Sequence, residues 1–363
     1  MHLIDTTGPG GAETVFTQLI AELSSDYEPI VILRGEGWLA SEIRSLGIEP
    51  IMLNSKGSFN ARYLIELQRI IRQKRIRLIH AHLLGSNVYG SLAGLLTGVP
   101  VITTFHGSVD IGSSERFLRL KFFIINQCAS AIVSVSRRLQ KALNERARLS
   151  RRKSILIYNG VARPESAFAE NDLRQSLGLS PDARIVVSVG NVRRSKGYEY
   201  LVEAVPSVSD AKTHFVVIGD PKPALTDPLK SRAQELGVAD RIHFIGFRKD
   251  ARHLLAQADV FLLPSTEEGF SLATVEAMLA GVPVIATRSG GPEEIIDPGV
   301  NGQLIECANA RAIAQAIDSA LTNAHTERMV IQAQQDAQNR FSLNTMIDQY
   351  KELYQRLIGS AVA

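Results

Sequence analysis

The feature that most constrains this chain is a rhythm that runs once and then starts again. Short apolar, partly β-branched runs alternate with longer stretches of helical spacing. In the first half the strand-like runs are 29–33, 76–79, 99–103, 131–135 and 154–158, after a very short one at 2–5. Helical stretches fill 12–25, 60–74, 86–97, 115–128 and 137–147. Runs that are apolar throughout suit strands buried on both faces, so the pattern predicts a parallel sheet covered by helices on either side. A second set follows at 185–189, 214–218, 241–244, 259–263 and 282–286, with helices near 197–208, 227–236, 250–257, 271–280, 309–323 and 325–339. Between the sets, 160–184 is enriched in Gly, Pro, Ser and Asp and holds one short helical piece near 170–177. Such a stretch marks a domain boundary.

The expected fold class is therefore α/β, with two Rossmann-like doubly wound domains over 1–165 and 166–342. The segment 343–363 carries an amphipathic helix over 343–358 in which Leu343, Ile347, Tyr350, Leu353, Tyr354 and Leu357 share one face. In doubly wound sheets, ligands bind outside the carboxyl ends of strands, near helix N-termini. With two such domains the expected site is the cleft where those ends face each other, and each candidate motif should come just after a strand.

Composition excludes several classes. Two cysteines, Cys128 and Cys307, in 363 residues suggest neither a disulfide framework nor a Cys-based metal cluster. The first residues lack a basic start followed by an apolar core, so no signal peptide is expected. No apolar run approaches the ~20 residues that span a bilayer. A cytoplasmic location follows as the expectation, and charge would extend it to the inner face of the membrane. Residues 1–165 carry 21 Lys/Arg against 13 Asp/Glu, and 166–363 carry 19 against 24, so a net +8 half precedes a net −5 half. The basic half suits an anionic surface or acceptor; two ordinary halves with a chance imbalance fit equally well. The basic residues show no RNA-type aromatic platform or recognised motif, which argues against nucleic acid. Residues 62–77 and 116–123 interleave Arg and Lys with Leu, Ile, Tyr and Phe, a pattern that can touch anionic lipid or can be a solvated helix face with an apolar underside.

Seven segments meet the after-a-strand test. Gly8-Pro9-Gly10-Gly11-Ala12-Glu13 precedes an apolar helical pattern; glycines at a helix start let a ligand approach unpaired N–H groups. It is neither G-x-G-x-x-G nor a P-loop. His106, in Thr103-Thr104-Phe105-His106-Gly107, can donate to a sugar hydroxyl or phosphate oxygen, and Asp110 is close enough in sequence to orient an acceptor. His80 and His82 flank another strand end, but two His at i, i+2 without acidic or Cys company are poor evidence for metal. Arg193 and Lys196 lie in the loop after 185–189, placed to stabilise the charge that grows on a departing diphosphate. Finally, Glu267 and Glu268 precede a helix whose first turn, Gly269-Phe270-Ser271-Leu272, offers N–H groups to phosphate. Glu276 sits inside that largely apolar helix, a costly place unless the carboxylate is paired. The strand ending Ile245-Gly246-Phe247 could give a nucleotide base a flat apolar seat, and the glycine turn Ser289-Gly290-Gly291 could add N–H groups to the anion site.

Residues 264–283 resemble the signature of retaining GT-B glycosyltransferases of the family-4 type. Glu268 and Glu276 have the Glu-x7-Glu spacing, and Ala277-Met278-Leu279-Ala280-Gly281-Val282-Pro283-Val284 follows. Gly10-Gly11-Ala12-Glu13, His106-Gly107, Asn159-Gly160-Val161 and Arg193 with Lys196-Gly197 match further family motifs, so the resemblance spans almost the whole chain. It implies a retaining, metal-independent transfer of a hexose-type sugar from a nucleotide-diphosphate sugar, a substrate and not a cofactor, to a glycan, lipid-linked or small-molecule acceptor. Arg193 and Lys196 would hold the pyrophosphate, Glu268 and His106 the transferred sugar, Glu276 the ribose, and Gly10 and Gly11 the phosphates or acceptor. The helix at 343–358 would cross back to the first domain. Ser271 stands where the family usually has Gly; its hydroxyl would either cap the helix or contact phosphate. Rival readings are another nucleotide-sugar enzyme of this fold, such as an epimerase or sugar-phosphate synthase, a nicotinamide-dependent enzyme, and a non-catalytic scaffold.

Overall fold

A computed structural model describes the chain except for residues 55–59, 108–115, 146, 163–172, 323–325 and 361–363; Asp110 lies outside the described residues. The chain forms two compact units. One is Met1–Gly160 with the chain from Asn344 onward, and the other is Val161–Leu343.

The first unit runs β1 (His2–Ile4), α1 (Gly11–Leu23), β2 (Val31–Leu33), α2 (Trp38–Ser45), β3 (Ile51–Met52), α3 (Ala61–Gln73), β4 (Ile79–His82), α4 (Leu84–Thr97), β5 (Val101–Phe105), α5 (Leu118–Cys128), β6 (Ala131–Ser134), α6 (Arg137–Glu145) and β7 (Ser154–Leu156). Its seven strands take the order β3-β2-β1-β4-β5-β6-β7, all parallel. Two separate clusters cover the two faces of the sheet. Leu3, Ile32, Ile79, Ala81 and Val101 pack with Tyr63, Leu67 and Ile71 of α3, while Ile4, Val31 and Leu33 pack with Phe16 and Ile20 of α1 and Leu39 and Ile43 of α2. That double covering is why the strands read as unbroken apolar runs.

β1, β6 and β7 begin where the sequence pattern places them, whereas β2, β4 and β5 begin two or three residues later. Ile76 N–H returns to the Ile71 carbonyl and Val99 N–H to Gly94, both helix-ending bonds, and Arg75 takes a left-handed conformation. The apolar residues at 76 and 99 therefore complete helix ends. The shift carries His80 and His82 into β4 itself, with His82 opposite Ile4 on one side and Thr104 on the other.

The second unit runs α7 (Leu173–Ser176), β8 (Arg184–Val189), α8 (Tyr198–Ala204), β9 (Thr213–Ile218), α9 (Pro223–Glu235), β10 (Ile242–Gly246), α10 (Ala251–Leu255), β11 (Val260–Leu263), α11 (Leu272–Leu279), β12 (Val284–Thr287), β13 (Gln303–Ile305), α12 (Ala310–Thr322) and α13 (Thr326–Phe341). Its parallel sheet has the order β10-β9-β8-β11-β12-β13. In both units the strand order reverses direction at one point: between β1 and β4, and between β8 and β11. Chains leave those neighbouring strands toward opposite faces and open a crevice at their carboxyl ends. The loops after β8 and β11 are those of Lys196 and Glu268.

The last helix, α14 (Leu343–Ser360), belongs from Asn344 on to the first unit. Tyr350 and Tyr354 are buried there, Tyr354 Oη meets His80 Nδ1 at 2.7 Å, Lys351 pairs with Asp26 at 2.6 Å, and Gly160 N–H donates to Met346 Sδ. Among the described residues no helix is long and apolar enough to cross a membrane.

Candidate active site

In the second unit the chain leaves β8 at Gly190, passes Arg193 and a short 3-10 turn at Arg194–Lys196, and enters α8 through Gly197. Gly190 makes room for the lysine: a Cβ there would lie 3.0 Å from Lys196 Cε and 3.2 Å from Nζ. Gly197 has φ +63°, and a Cβ there would sit 2.1 Å from the Pro264 carbonyl oxygen. Only glycine accepts that conformation and approach together. The contact ties the loop after β8 to the loop after β11, and Thr266 N–H donating to the Ser195 carbonyl at 2.8 Å reinforces it.

Lys196 Nζ and Glu268 Oε1 meet at 2.7 Å, with side chains only 21% and 10% exposed. Ser265 Oγ donates to the same carboxylate oxygen at 2.6 Å. Glu268 N–H donates to Ser289 O, and Gly291 N–H to Glu268 O, so the glycine turn after β12 clamps the backbone of Glu268. The site thus gathers Lys196, Glu268 and the glycine turn at one sheet end.

Ser271 is the N-cap of α11: its hydroxyl accepts from Thr274 N–H at 3.3 Å and from Thr274 Oγ1 at 2.8 Å. Of the two roles open to it, the capping one is present. The cap satisfies one helix-start donor and leaves earlier N–H groups of the turn for an anion. Phe270 is buried, its ring edge-on to Phe341 at 5.5 Å. Leu272 opens the helix half-buried, and Gly269 precedes it. Phe247, just past β10, is 43% exposed. Arg193 does not join the Lys196 pair. It is exposed, makes no ion pair among the described residues, and lines a depression of about 280 Å³ with Val192, Arg194, Tyr198, Glu199, Leu225 and Leu229.

Glu276 has the partner its position demands. Arg252 of α10 donates from Nε to Glu276 Oε1 at 2.8 Å. Sequence reasoning asked for a partner and did not name it. The pairing spans 24 residues and two elements, and an arginine in a short helix carries no local mark of it.

In the first unit, α1 starts at Gly11 after Gly10, with no side-chain cap. Glu13, third in the helix, folds back over the start and is buried; a Cβ on Gly10 would lie 2.4 Å from its Oε2. The helix start expected to receive an anion thus already has a carboxylate against it, as in a capping box. Across the same sheet end, Asp5 accepts from Ser86 N–H at 2.9 Å and Ser86 Oγ at 2.6 Å at the start of α4. Burial raises the Asp5 carboxyl above its usual range, opposed by the Ser86 bond. Neither acid was singled out from sequence as a site residue.

His106 follows β5 directly. Its Nε2 lies 3.0 Å from His82 Nδ1, with the ring centroids 5.3 Å apart and the planes 21° from parallel, so the two rings meet nearly edge to edge. Burial pushes its pKa down to about 4, so the ring is neutral at pH 7. His2, His80 and His82 bring nitrogens within 4.8 Å of one another, the spacing of a metal set. However, His80 already bonds Tyr354 Oη through Nδ1 and Thr104 Oγ1 through Nε2. Zinc sites take three or four ligands, and the trio has only two members with an unengaged nitrogen.

The family described as Glycosyl transferases group 1 matches residues 169–337, and Glycosyltransferase Family 4 matches 9–163. Two parallel doubly wound units with these matches define a nucleotide-sugar-dependent glycosyltransferase of the GT-B fold. The chain belongs to the group 1/family 4 glycosyltransferases. It is similar to N-acetyl-alpha-D-glucosaminyl L-malate synthase of Bacillus anthracis, 26% identical over 301 residues covering 80% of this chain and 77% of the relative. It is also similar to the UDP-Gal:alpha-D-GlcNAc-diphosphoundecaprenol alpha-1,3-galactosyltransferase of Escherichia coli, 24% identical over 87% of this chain and 85% of that one. The structure of Anabaena Alr3699/HepE in complex with UDP-glucose superposes with a TM-score of 0.88, at 25% identity over 98% of this chain and 99% of the other.

Proposed function

We propose that the protein transfers a hexose-type sugar, with retention, from a UDP-sugar to a hydroxyl of a glycan or lipid-linked acceptor. The observation that carries this reading is the convergence of Lys196, the glycine turn at 290–291 and the first turn of α11 on Glu268 at one sheet end. A cation and the N–H groups at the start of α11 stabilise the diphosphate as it leaves, when its charge is greatest. The glycine turn, expected from sequence to add N–H groups, instead donates those of Gly290 and Gly291 to Glu293 and Glu268 and serves to hold the Glu268 backbone. Lys196 exchanges Glu268 for the diphosphate on donor binding, and Arg193 adds a second charge from the loop. The released Glu268 meets the sugar hydroxyls, and Glu276, steadied by Arg252, accepts from the ribose. UDP as the carrier draws support from the relatives solved with, or named for, UDP-sugars.

With Lys196 on the diphosphate, Glu268 Oε1 keeps the Ser265 hydroxyl as a donor, an arrangement that suits binding hydroxyls better than attacking carbon. The acceptor oxygen therefore bonds the anomeric carbon on the face that the diphosphate leaves. The anomeric bond to the diphosphate oxygen breaks, and the acceptor proton passes to that oxygen. Neither glutamate acts as a glycosidase-type acid or nucleophile. A thermal-shift panel of UDP-, GDP- and ADP-sugars tests the donor. A ligand at 100 times its Kd adds about 2.7 kcal/mol, a shift of several degrees, and the UDP-sugars should stand out. Product analysis with candidate acceptors separates transfer from epimerisation or sugar-phosphate synthesis, which would yield no glycosylated acceptor of this class.

A lipid-linked acceptor is favoured by α5. Phe117, Leu120 and Phe123 are 70%, 55% and 60% exposed, and Arg116 and Arg119 beside them are exposed too. Apolar side chains flanked by arginines suit an anionic bilayer surface. The protein should co-sediment with vesicles containing phosphatidylglycerol and not with neutral ones, and Phe117→Ser/Phe123→Ser should lower that binding at least tenfold. Equal sedimentation of the wild type with neutral vesicles, or of the variant with anionic ones, would remove this part of the reading.

A further inference from the structure

Two carboxylates stand at the carboxyl end of the first unit's sheet, and only one of them is engaged. Asp5 takes the Ser86 N–H and hydroxyl. Glu13 is 8% exposed, and its carboxylate has no hydrogen-bond or ion-pair partner among the described residues. Its offset from Gly10 is the spacing of a capping box, yet the Gly10 N–H does not donate to it. The side chain lies over the helix start, where a Cβ on Gly10 would meet Oε2 at 2.4 Å. The first bond within α1 runs from Thr14 N–H to the Gly10 carbonyl, so the N–H groups of Gly11, Ala12 and Glu13 are left over. Gly11 is exposed and Ala12 half-buried, so a ligand can reach that turn. Thr6 Oγ1, in the loop that leaves β1, is also buried without a partner. Burying a carboxylate without donors costs free energy that a helix dipole returns only in part. A ligand that carries donors would supply what the fold leaves out.

We infer that Glu13 and the first turn of α1 form an acceptor subsite, and that the group it takes is a neutral sugar hydroxyl and not a phosphate. A hydroxyl matches both halves of the site: it donates to the Glu13 carboxylate and accepts from a first-turn N–H. A phosphate would find the same N–H groups but would bring its charge against the carboxylate. Asp5 cannot serve in place of Glu13, because Ser86 already donates to both of its oxygens. Of the two partners that the family resemblance leaves to Gly10 and Gly11, phosphate or acceptor, Glu13 selects the acceptor. The inference rests on the reading that the protein transfers a sugar to a hydroxyl of a glycan or lipid-linked acceptor.

Amide shifts at residues 11–14 of the ¹⁵N-labelled full chain test it, with methyl α-glucopyranoside, methyl α-galactopyranoside and inorganic phosphate as probes. In the wild type at least one glycoside should move these amides, and phosphate should leave them in place. Glu13→Gln keeps the size of the side chain and removes its charge. In that variant glycoside binding should weaken about tenfold, the scale of one hydrogen bond to a charged group. Phosphate should now shift the same amides, with a melting curve run beside it. With donor and acceptor together, Glu13→Gln should raise the acceptor KM about tenfold while the donor KM stays within about twofold. Phosphate at these amides in the wild type, or no shift from either glycoside, overturns the inference without any variant. If the glycosides bind as expected but no acceptor is glycosylated, the subsite stands and the transfer reading fails. If transfer proceeds with an acceptor KM that Glu13→Gln does not change, the transfer reading stands and the subsite fails.

Discussion

Lys196→Ala should lower kcat/KM at least 100- to 1000-fold, the scale of removing one charge-stabilising donor from a transition state, with most of the loss in kcat. The same change should cost about 1–3 kcal/mol of stability, because Glu268 is left largely buried with Ser265 as its remaining side-chain partner. The two effects can be separated. In Lys196→Ala/Glu268→Gln the neutral amide no longer needs a cation, so stability should return while transfer stays lost. Steady-state kinetics with denaturant unfolding of the three proteins checks both statements. A double variant that regains activity along with stability would make the lysine a structural ion-pair partner and nothing more.

Stability should fall steeply between pH 6.5 and 5. Burial, first of all, depresses the proton affinity of His80, His82 and His106, with mutual repulsion adding to it for His80 and His82. The unfolded chain binds those protons near pH 6.5. Below that pH the unfolded state holds more protons than the folded one, so stability drops as pH falls. His2, buried beside His80 and shifted down for the same reason, makes a fourth such group. Each contributes up to about 1.4 kcal/mol per pH unit once its unfolded form is protonated, so together they remove several kcal/mol by pH 5, much of a typical domain's total. For His106 the loss continues down to about pH 4. Carboxylates titrate mainly below this window, so the signal belongs to the histidines. Urea unfolding of the first unit's signal at pH 7.5, 6.0 and 5.0 measures the slope, and equal stability at pH 7.5 and 5.0 would contradict neutral burial of these rings.

How far the site could be read from sequence depends on how local its physics is. Parallel strands buried on both faces announce themselves as apolar runs, and the restart of the pattern marked the second sheet. β3 and β13, two and three residues long and half-buried, left no run to see, and neither did the eight-residue α2. The Glu268–Glu276 spacing and the loop lysine were legible because each follows a strand. Arg252 beside Glu276 and His82 beside His106 were not. Each contact depends on which elements become neighbours, and no residue adjacent in sequence signals it. Glu13 lies between these cases. Its three-residue offset from Gly10 is the spacing of a capping box, which explains an acid against a helix start that glycines alone would leave to an anion.

On the proposed reading the donor's diphosphate rests on Lys196 and the start of α11. Hydrogen–deuterium exchange with and without saturating UDP tests it at the amides concerned. Exchange should slow several-fold or more at residues 194–197 and 271–275. Saturated protein with unchanged exchange at both segments would contradict the account.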